Sequence, residues 1–443
     1  MNNTVLAMLS SSGGAAGAHP LPTRKGIVRA DGKAVRDDTG SFHPLGMTFF
    51  WAMQGWRGER DRFLKNLDWL VQHGRPDYLR ILGQVDWSGR AIDPAWPDYD
   101  QVYTGARDAI YGRGMRHELT MLGSPYPDPA GLARRLSGLI RPKAETVINS
   151  EIWNEWAQNG GSLQAMKDAA RVFLEQSGVA LVALSSDMGD TDISPATLVT
   201  AHTDRDGGDD GWRMVRQGYD AIHAPCTYSG NEPPGINSSL NTLESPLQLA
   251  MLRAVSVQSG GALWVLHVGD MVMGLEDPSH GRHANLWEID RLAESIKAVR
   301  QVDTWMPSGV ENWHKSAGNP NIRPQALVAD ITGWPDGGPG VNRAYCALTD
   351  GAFTQTLCGI KGTRTFTQVM EDGATYRVTG IQPETGELLD VTLKSGQSFT
   401  INGPADGMLG YILNGTRVPG GAVLRAPVVY PPIVVAEDVL LET

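Results

Sequence analysis

Cysteine is scarce in this chain of 443 residues: only Cys226, Cys346 and Cys358 occur, too few for a disulfide framework and without the spacing of a zinc site. Cys346 and Cys358 flank a hairpin signal at Asp350-Gly351. That makes a pairing conceivable, but free thiols are the default expectation. Long apolar runs are missing too. None approaches the ~20 residues that cross a bilayer, so no membrane partner is expected. The first twenty residues, MNNTVLAMLSSSGGAAGAHP, carry a short apolar patch with no basic residue before it. They do not read as a secretory signal, and residues 1–25 are expected to form a flexible tail. The expectation is a soluble chain whose compartment is left open. Positive charge is the minority, with 38 Lys and Arg against 49 Asp and Glu and a formal net charge of −11. Such a balance argues against a nucleic-acid partner. There is no Gly-x-Ser-x-Gly elbow and no glycine-rich phosphate loop ending in Lys and Ser or Thr, so no cofactor is implied.

What is present suits a large core. Hydrophobic residues make up 41% of the chain and charged residues 20%, and the length allows two domains. From Phe42 onward, short apolar runs alternate with amphipathic segments, the pattern of successive βα units. Eight strands are predicted: His43–Trp51, Tyr78–Leu82, about His117–Leu122, a fourth opening at Val147-Ile148, Val179–Leu184, Thr197–His202, Ala221–Tyr228 and Ala262–His267. Between them, Phe63, Leu67, Leu70 and Val71 recur at helical spacing, as do Leu163, Met166, Ala170, Phe173 and Leu174. Pro246–Gln258 reads as a helix, and Leu286–Val299 as the last one. Eight strands over some 250 residues fit a (β/α)8 TIM barrel, assigned to residues 26–305. Beyond Val302 the helical period stops. Alternating segments at Ala344–Leu348, Thr363–Val369, Ala374–Val378, Glu387–Leu393 and Ser398–Ile401 are separated by Asp-Gly, Thr-Gly and Ser-Gly turns. They predict an antiparallel β-sandwich over 306–443.

The fourth strand carries the most unusual stretch, ETVINSEIWNEWAQNG from Glu145 to Gly160. Side chains alternate on a strand, so Asn149, Glu151, Trp153 and Glu155 are expected on one face. Two carboxyl groups there make poor core material unless they line a pocket. Asn154-Glu155 sits at the strand end, which in a barrel of this type is where chemistry lies. EIWNEW resembles the fourth-strand motif of the clan A superfamily of retaining glycoside hydrolases, although Trp156 stands where proline often follows. The resemblance implies that Glu155 is the general acid/base and that a second Glu closes strand seven. Asn231-Glu232 matches that slot, which makes Glu232 the nucleophile. NEPPG at 231–235 also resembles the fourth-strand motif, so a miscounted strand would exchange the two roles.

Further residues follow from the same frame. Arg80, in YLRIL, matches a position where the superfamily often supports its nucleophile. Its plain alternative is an internal salt bridge with Glu151, the rival to Glu155. His202 and His267 end strands six and eight and are candidates to bind sugar hydroxyls. Tyr228 is a candidate neighbour of Glu232. Among the 13 tryptophans, whose indoles suit sugar C–H faces, Trp51, Trp56, Trp87, Trp153 and Trp264 are candidate platforms. The predicted substrate set is therefore Arg80, Asn154, Trp51, Trp153, His202, Tyr228 and His267 around Glu155 and Glu232. There is no His-x-His on strand one and no metal is expected. The expected function is hydrolysis of an oligo- or polysaccharide or glycoside with retention. The alternative is a catalytically silent carbohydrate-binding or adhesion protein on the same scaffold.

Overall fold

The first described residues fold into a small antiparallel sheet, β1 (Arg29–Asp31), β2 (Ala34–Asp37) and β3 (Gly40–Phe42), which leads directly into a barrel. The computed structural model describes residues 24–184, 194–202, 215, 226–238, 242–310, 313–317, 328–330, 344–349, 351–360, 362–368, 374–394, 396–404, 409–418 and 428–430. Val28 and Val35 from this entry segment pack with Tyr78, Ile148, Leu181, Leu263 and Val265 and so plug the base of the barrel. The sequence reading began the fold at Phe42 and missed this sheet, whose strands have only three or four residues each.

Among the described residues eight parallel strands form one sheet: β4 (Leu45–Thr48), β5 (Tyr78–Leu82), β6 (Arg116–Leu122), β7 (Val147–Trp153), β8 (Val182–Ala183), β9 (Val199–His202), β10 (Tyr228–Glu232) and β11 (Leu263–Leu266). Their order is β8-β7-β6-β5-β4-β11-β10-β9. Chain neighbours pair in sequence except β8 and β9, which have no pairing among the described residues, and β11 returns to pair with β4, giving a nearly closed (β/α)8 barrel. Gly46 on β4 is needed for this closure. A Cβ there would lie 2.3 Å from the ring of Tyr78, which fills the barrel interior.

Helices α1 (Ala52–Gly58), α2 (Arg60–Gln72), α3 (Tyr99–Tyr111), α4 (Pro129–Ile140), α5 (Leu163–Gln176), α6 (Pro246–Ser259), α7 (Asp270–Met273) and α8 (Leu292–Trp305) accompany the barrel. Phe63, Leu67 and Leu70 of α2 are buried as their spacing predicts, whereas Val71 is 43% exposed. The last predicted helix is corrected. Leu286–Glu288 is a single 3-10 turn, Arg291 takes a positive φ of 54°, and the α-helix begins only at Leu292. Leu286, Ile289, Leu292 and Ile296 are buried all the same, so the apolar stripe survives the break.

The C-terminal strands make two antiparallel sheets that form a β-sandwich after the barrel. One runs β12-β14-β15-β20-β17-β18-β21, from β12 (His314–Ala317), β14 (Ala344–Thr349), β15 (Ala352–Ile360), β20 (Leu409–Arg417), β17 (Thr375–Ile381), β18 (Leu388–Lys394) and β21 (Val428–Tyr430). The other is β13 (Val328–Asp330), β16 (Thr363–Gln368) and β19 (Ser398–Asn402). Cys346 stands opposite Gln355, so Cys358 is not its cross-strand partner. Helix α6 is apolar nearly all round because both its faces are covered. One side packs on the barrel. On the other, Gln258 exchanges hydrogen bonds with Thr354 (3.1 Å) and Thr356 (2.6 Å) of β15.

Candidate active site

The site grows from one buried arginine. Arg80 lies mid-strand in β5, is fully buried, and uses each of its five N–H groups. Nε donates to Thr120 Oγ1 at 3.1 Å. Nη1 donates to Glu232 Oε2 at 2.8 Å and to the Asn231 carbonyl at 3.2 Å. Nη2 donates to Glu151 Oε2 at 2.6 Å and to Asn154 Oδ1 at 2.7 Å. The guanidinium also lies 4.8 Å from the ring centroid of Phe50. One cation on the second barrel strand thereby orients residues from the fourth and the seventh. Arg80 thus pairs internally with Glu151 and also holds Glu232.

Glu232 reaches this position through a bulge. On β10, Gly230 pairs with Ala201 and Glu232 with His202, which leaves Asn231 as the extra residue. A bulge re-aims a side chain. Here it lets both Asn231 and Glu232 face the interior, where Asn231 Nδ2 donates to Glu151 Oε1 at 3.0 Å and Glu118 Oε1 at 3.2 Å. The seventh strand therefore spans Tyr228–Glu232, later than predicted; residues 221–225 lie outside the described part. Its polar sequence, YSGNE, tolerates burial because Arg80 and the neighbouring amide supply partners. The shift corrects Tyr228. It starts the strand instead of ending it, is 5% exposed, and packs with Ala201 on the sheet face opposite Ser229 and Thr200. Three residues, Ser229, Gly230 and Asn231, separate it from Glu232 along the strand.

Glu155 lies just beyond β7, with its side chain 27% exposed. Its φ is +45°, a left-handed conformation that costs a residue with a Cβ about 1–2 kcal/mol. The turn enforces it: Asn159 N donates to the Glu155 carbonyl at 2.9 Å and Asn159 Nδ2 to the Asn154 carbonyl at 2.8 Å. Strand alternation therefore sets the directions of Asn149, Glu151 and Trp153, while the turn sets that of Glu155.

His202, at the end of β9, connects the carboxylates. Nδ1 lies 3.0 Å from Glu155 Oε1 and 3.6 Å from Glu232 Oε2, and Nε2 lies 3.5 Å from Glu151 Oε1. One oxygen each of Glu155 and Glu232 and a ring nitrogen of His202 all fall within 4.8 Å of one another. Burial alone would favour the neutral imidazole, but Glu232, Glu151 and Glu155 outweigh it and lift His202 to about 10. Burial would likewise raise Glu151, but Arg80 and His202 hold it down to about 2. The same carboxylates push Arg80 above its ordinary value despite its burial. The result is a pair of cations shared among carboxylates at the C-terminal ends of the strands. The trio of Glu155, His202 and Glu232 has donor types that suit a metal ion. A protonated His202 offers no lone pair to one.

Other predicted residues fall elsewhere. His267 is 2% exposed and pairs with Thr48 Oγ1 at 3.1 Å, bracing β11 against β4. Trp51, 1% exposed, stacks on Phe49 at 5.2 Å and meets Phe63 edge-on, so it is core and not a platform. Trp153 and Trp264 are also buried, at 3% and 1%. Trp87 and Trp156 remain partly exposed; Trp87 lies 6.3 Å from Phe50, whose ring borders Arg80. The sequence reading missed Glu118, Thr120 and Thr200, and took Asn231 only as the companion of Glu232. A Glu and a Thr two apart in the apolar run HELTML were the available signal.

This architecture is shared with solved glycoside hydrolase folds. One structure described as a glycoside hydrolase superposes with a TM-score of 0.62 at 12% identity, covering 90% of this chain and 98% of its own. A glycoside hydrolase of family 5 from Bacteroides vulgatus gives 0.63 at 12% identity, covering 89% of this chain and 94% of its own. No family model matches the chain, and no curated protein does either. At such identities the likeness is one of fold.

Proposed function

We propose that the protein is a glycoside hydrolase that works with retention, Glu232 acting as nucleophile and Glu155 as acid/base. The observation that carries this reading is the approach of the two carboxylates: an oxygen of each lies within 4.8 Å of the other. Retaining enzymes hold their carboxyl groups ~5–5.5 Å apart, whereas inverting ones leave ~6.5–9.5 Å for a water. The two environments also differ. Glu232, tied to Arg80 and 12% exposed, is kept as an oriented anion. Glu155, on the turn above, is the more accessible of the two.

In the first step a Glu232 oxygen bonds to the anomeric carbon while the bond to the leaving oxygen breaks. Glu155 gives that oxygen its proton. The carboxylate so formed lies 3.0 Å from the His202 ring, whose positive charge stabilises it. In the second step Glu155 takes a proton from water, the hydroxide oxygen bonds to the anomeric carbon, and Glu232 departs. Two inversions give net retention. Trp87 and Trp156 are the indoles placed to meet the sugar. A panel of aryl α- and β-glycosides, with product anomers read by NMR, tests this function. Turnover with retention supports it, and turnover with inversion contradicts it.

A further inference from the structure

Glu118, on β6 beneath the site, has no part in the two-carboxylate scheme, yet it touches the arginine on which that scheme depends. It is fully buried. The groups around it are Tyr78 and Arg80 from β5, Asn149 and Glu151 from β7, and Asn231 from β10. Its neighbour His117 faces away, bonded to Tyr103 at 2.9 Å.

The donor count around Glu118 is the informative feature. Glu118 Oε1 lies 3.4 Å from Arg80 Nε. The Nε–H, however, is directed to Thr120, and the other four N–H groups go to Glu232, Asn231, Glu151 and Asn154. Arg80 therefore has no hydrogen left for Glu118. Among the described residues the side-chain donors that face it are two neutral amides, Asn231 at 3.2 Å, shared with Glu151, and Asn149. A buried carboxylate with only neutral donors and a second carboxylate nearby is electrostatically costly. A carboxylic acid instead brings a hydrogen. The side-chain oxygens of Asn149 and Asn231, both buried and without a hydrogen bond, are acceptors of the matching type.

We infer that Glu118 is a positioning residue held as a neutral carboxylic acid, and that its neutrality leaves Arg80 committed to Glu151 and Glu232. Burial raises its pKa, Arg80 opposes this and Glu151 adds to it, so that Glu118 titrates at about 7. As pH rises through that value, a third anion competes for the guanidinium and loosens its hold on Glu232. The catalytic consequence rests on the function proposed above; the protonation state does not.

Infrared difference spectroscopy of wild type minus E118Q separates the two. A carbonyl band of a protonated carboxylic acid is expected below about pH 7, lost as pH rises through it and absent from E118Q. E118M provides the same subtraction should E118Q not fold. No such band below that pH would overturn the inference whether or not any glycosidase activity is found. Where activity is measurable, E118Q, neutral at every pH, is expected to keep wild-type kcat/KM on the acid side and to extend the profile to higher pH. A folded E118Q with an unshifted profile, or with no activity at any pH, would overturn the positioning role.

Discussion

Arg80 and Glu232 meet across the barrel at 2.8 Å, Nη1 to Oε2, joining the second strand to the seventh. This bond fixes one carboxylate oxygen of Glu232. The same guanidinium neutralises Glu151, so its removal strands two carboxylates at once. Arg80→Met is expected to lower stability by about 3–5 kcal/mol, the range for breaking a buried ion pair from one side. Arg80→Lys restores charge but not the planar fork. Urea unfolding and kcat/KM measured together should show the lysine variant regaining more stability than activity. A lysine variant with wild-type kcat/KM would contradict the orienting role.

His202 gives stability a defined pH dependence. The folded chain lifts it from an ordinary 6.5 to about 10, so the folded state holds a proton that the unfolded state releases between those values. The resulting stabilisation is complete below about 6.5 and is lost as pH rises through about 10. His202→Asn removes it. Unfolding free energies of the two proteins should differ most at the acid end of this window and converge toward its alkaline end. A constant difference across the window would show that His202 is neutral in the fold.

The tryptophans divide by burial. Trp51→Ala is expected to cost about 3–5 kcal/mol as a core cavity, with no selective loss of substrate affinity. Trp87→Ala should leave thermal unfolding nearly unchanged and raise KM for an active glycoside. An unstable Trp87→Ala protein with unchanged KM would place that indole in the core.

Much of this was legible in the sequence where period and chemistry agreed. Tyr78–Leu82 reads as a strand from its apolar run, and the structure gives it the same bounds. Asn154 and Glu155 stand out because the polarity of EIWNEW at a strand end has no packing reason. Tyr228 was misread because YSGNE looks like a turn until Arg80 is there to pair with it. Trp51 was misread because composition cannot tell an indole against Phe63 from one facing solvent. Glu118 was invisible, and Asn231 was read only as the companion of Glu232, for a related reason. Their meaning lies in how many donors Arg80 has left, and that count exists only once four strands have closed around it. Helix α6 was read as a helix over Pro246–Gln258, but that it is buried nearly all round, with the sandwich covering a second face, emerged only from the structure.

The central claim is that Glu155 and Glu232 have different chemical roles, and azide rescue tests it most directly. Glu155→Ala removes leaving-group protonation, a contribution of ~10²–10⁴-fold. An activated aryl glycoside needs little of that help, so the intermediate should form and then stall. Azide, which requires no general base, should release it as a glycosyl azide of retained configuration. Glu232→Ala lacks the nucleophile, and azide attacking in its place should give the inverted product. NMR of the two glycosyl azides reads the outcome. Retention from Glu155→Ala with inversion from Glu232→Ala is the predicted result; the opposite pairing would contradict the assignment of the two residues.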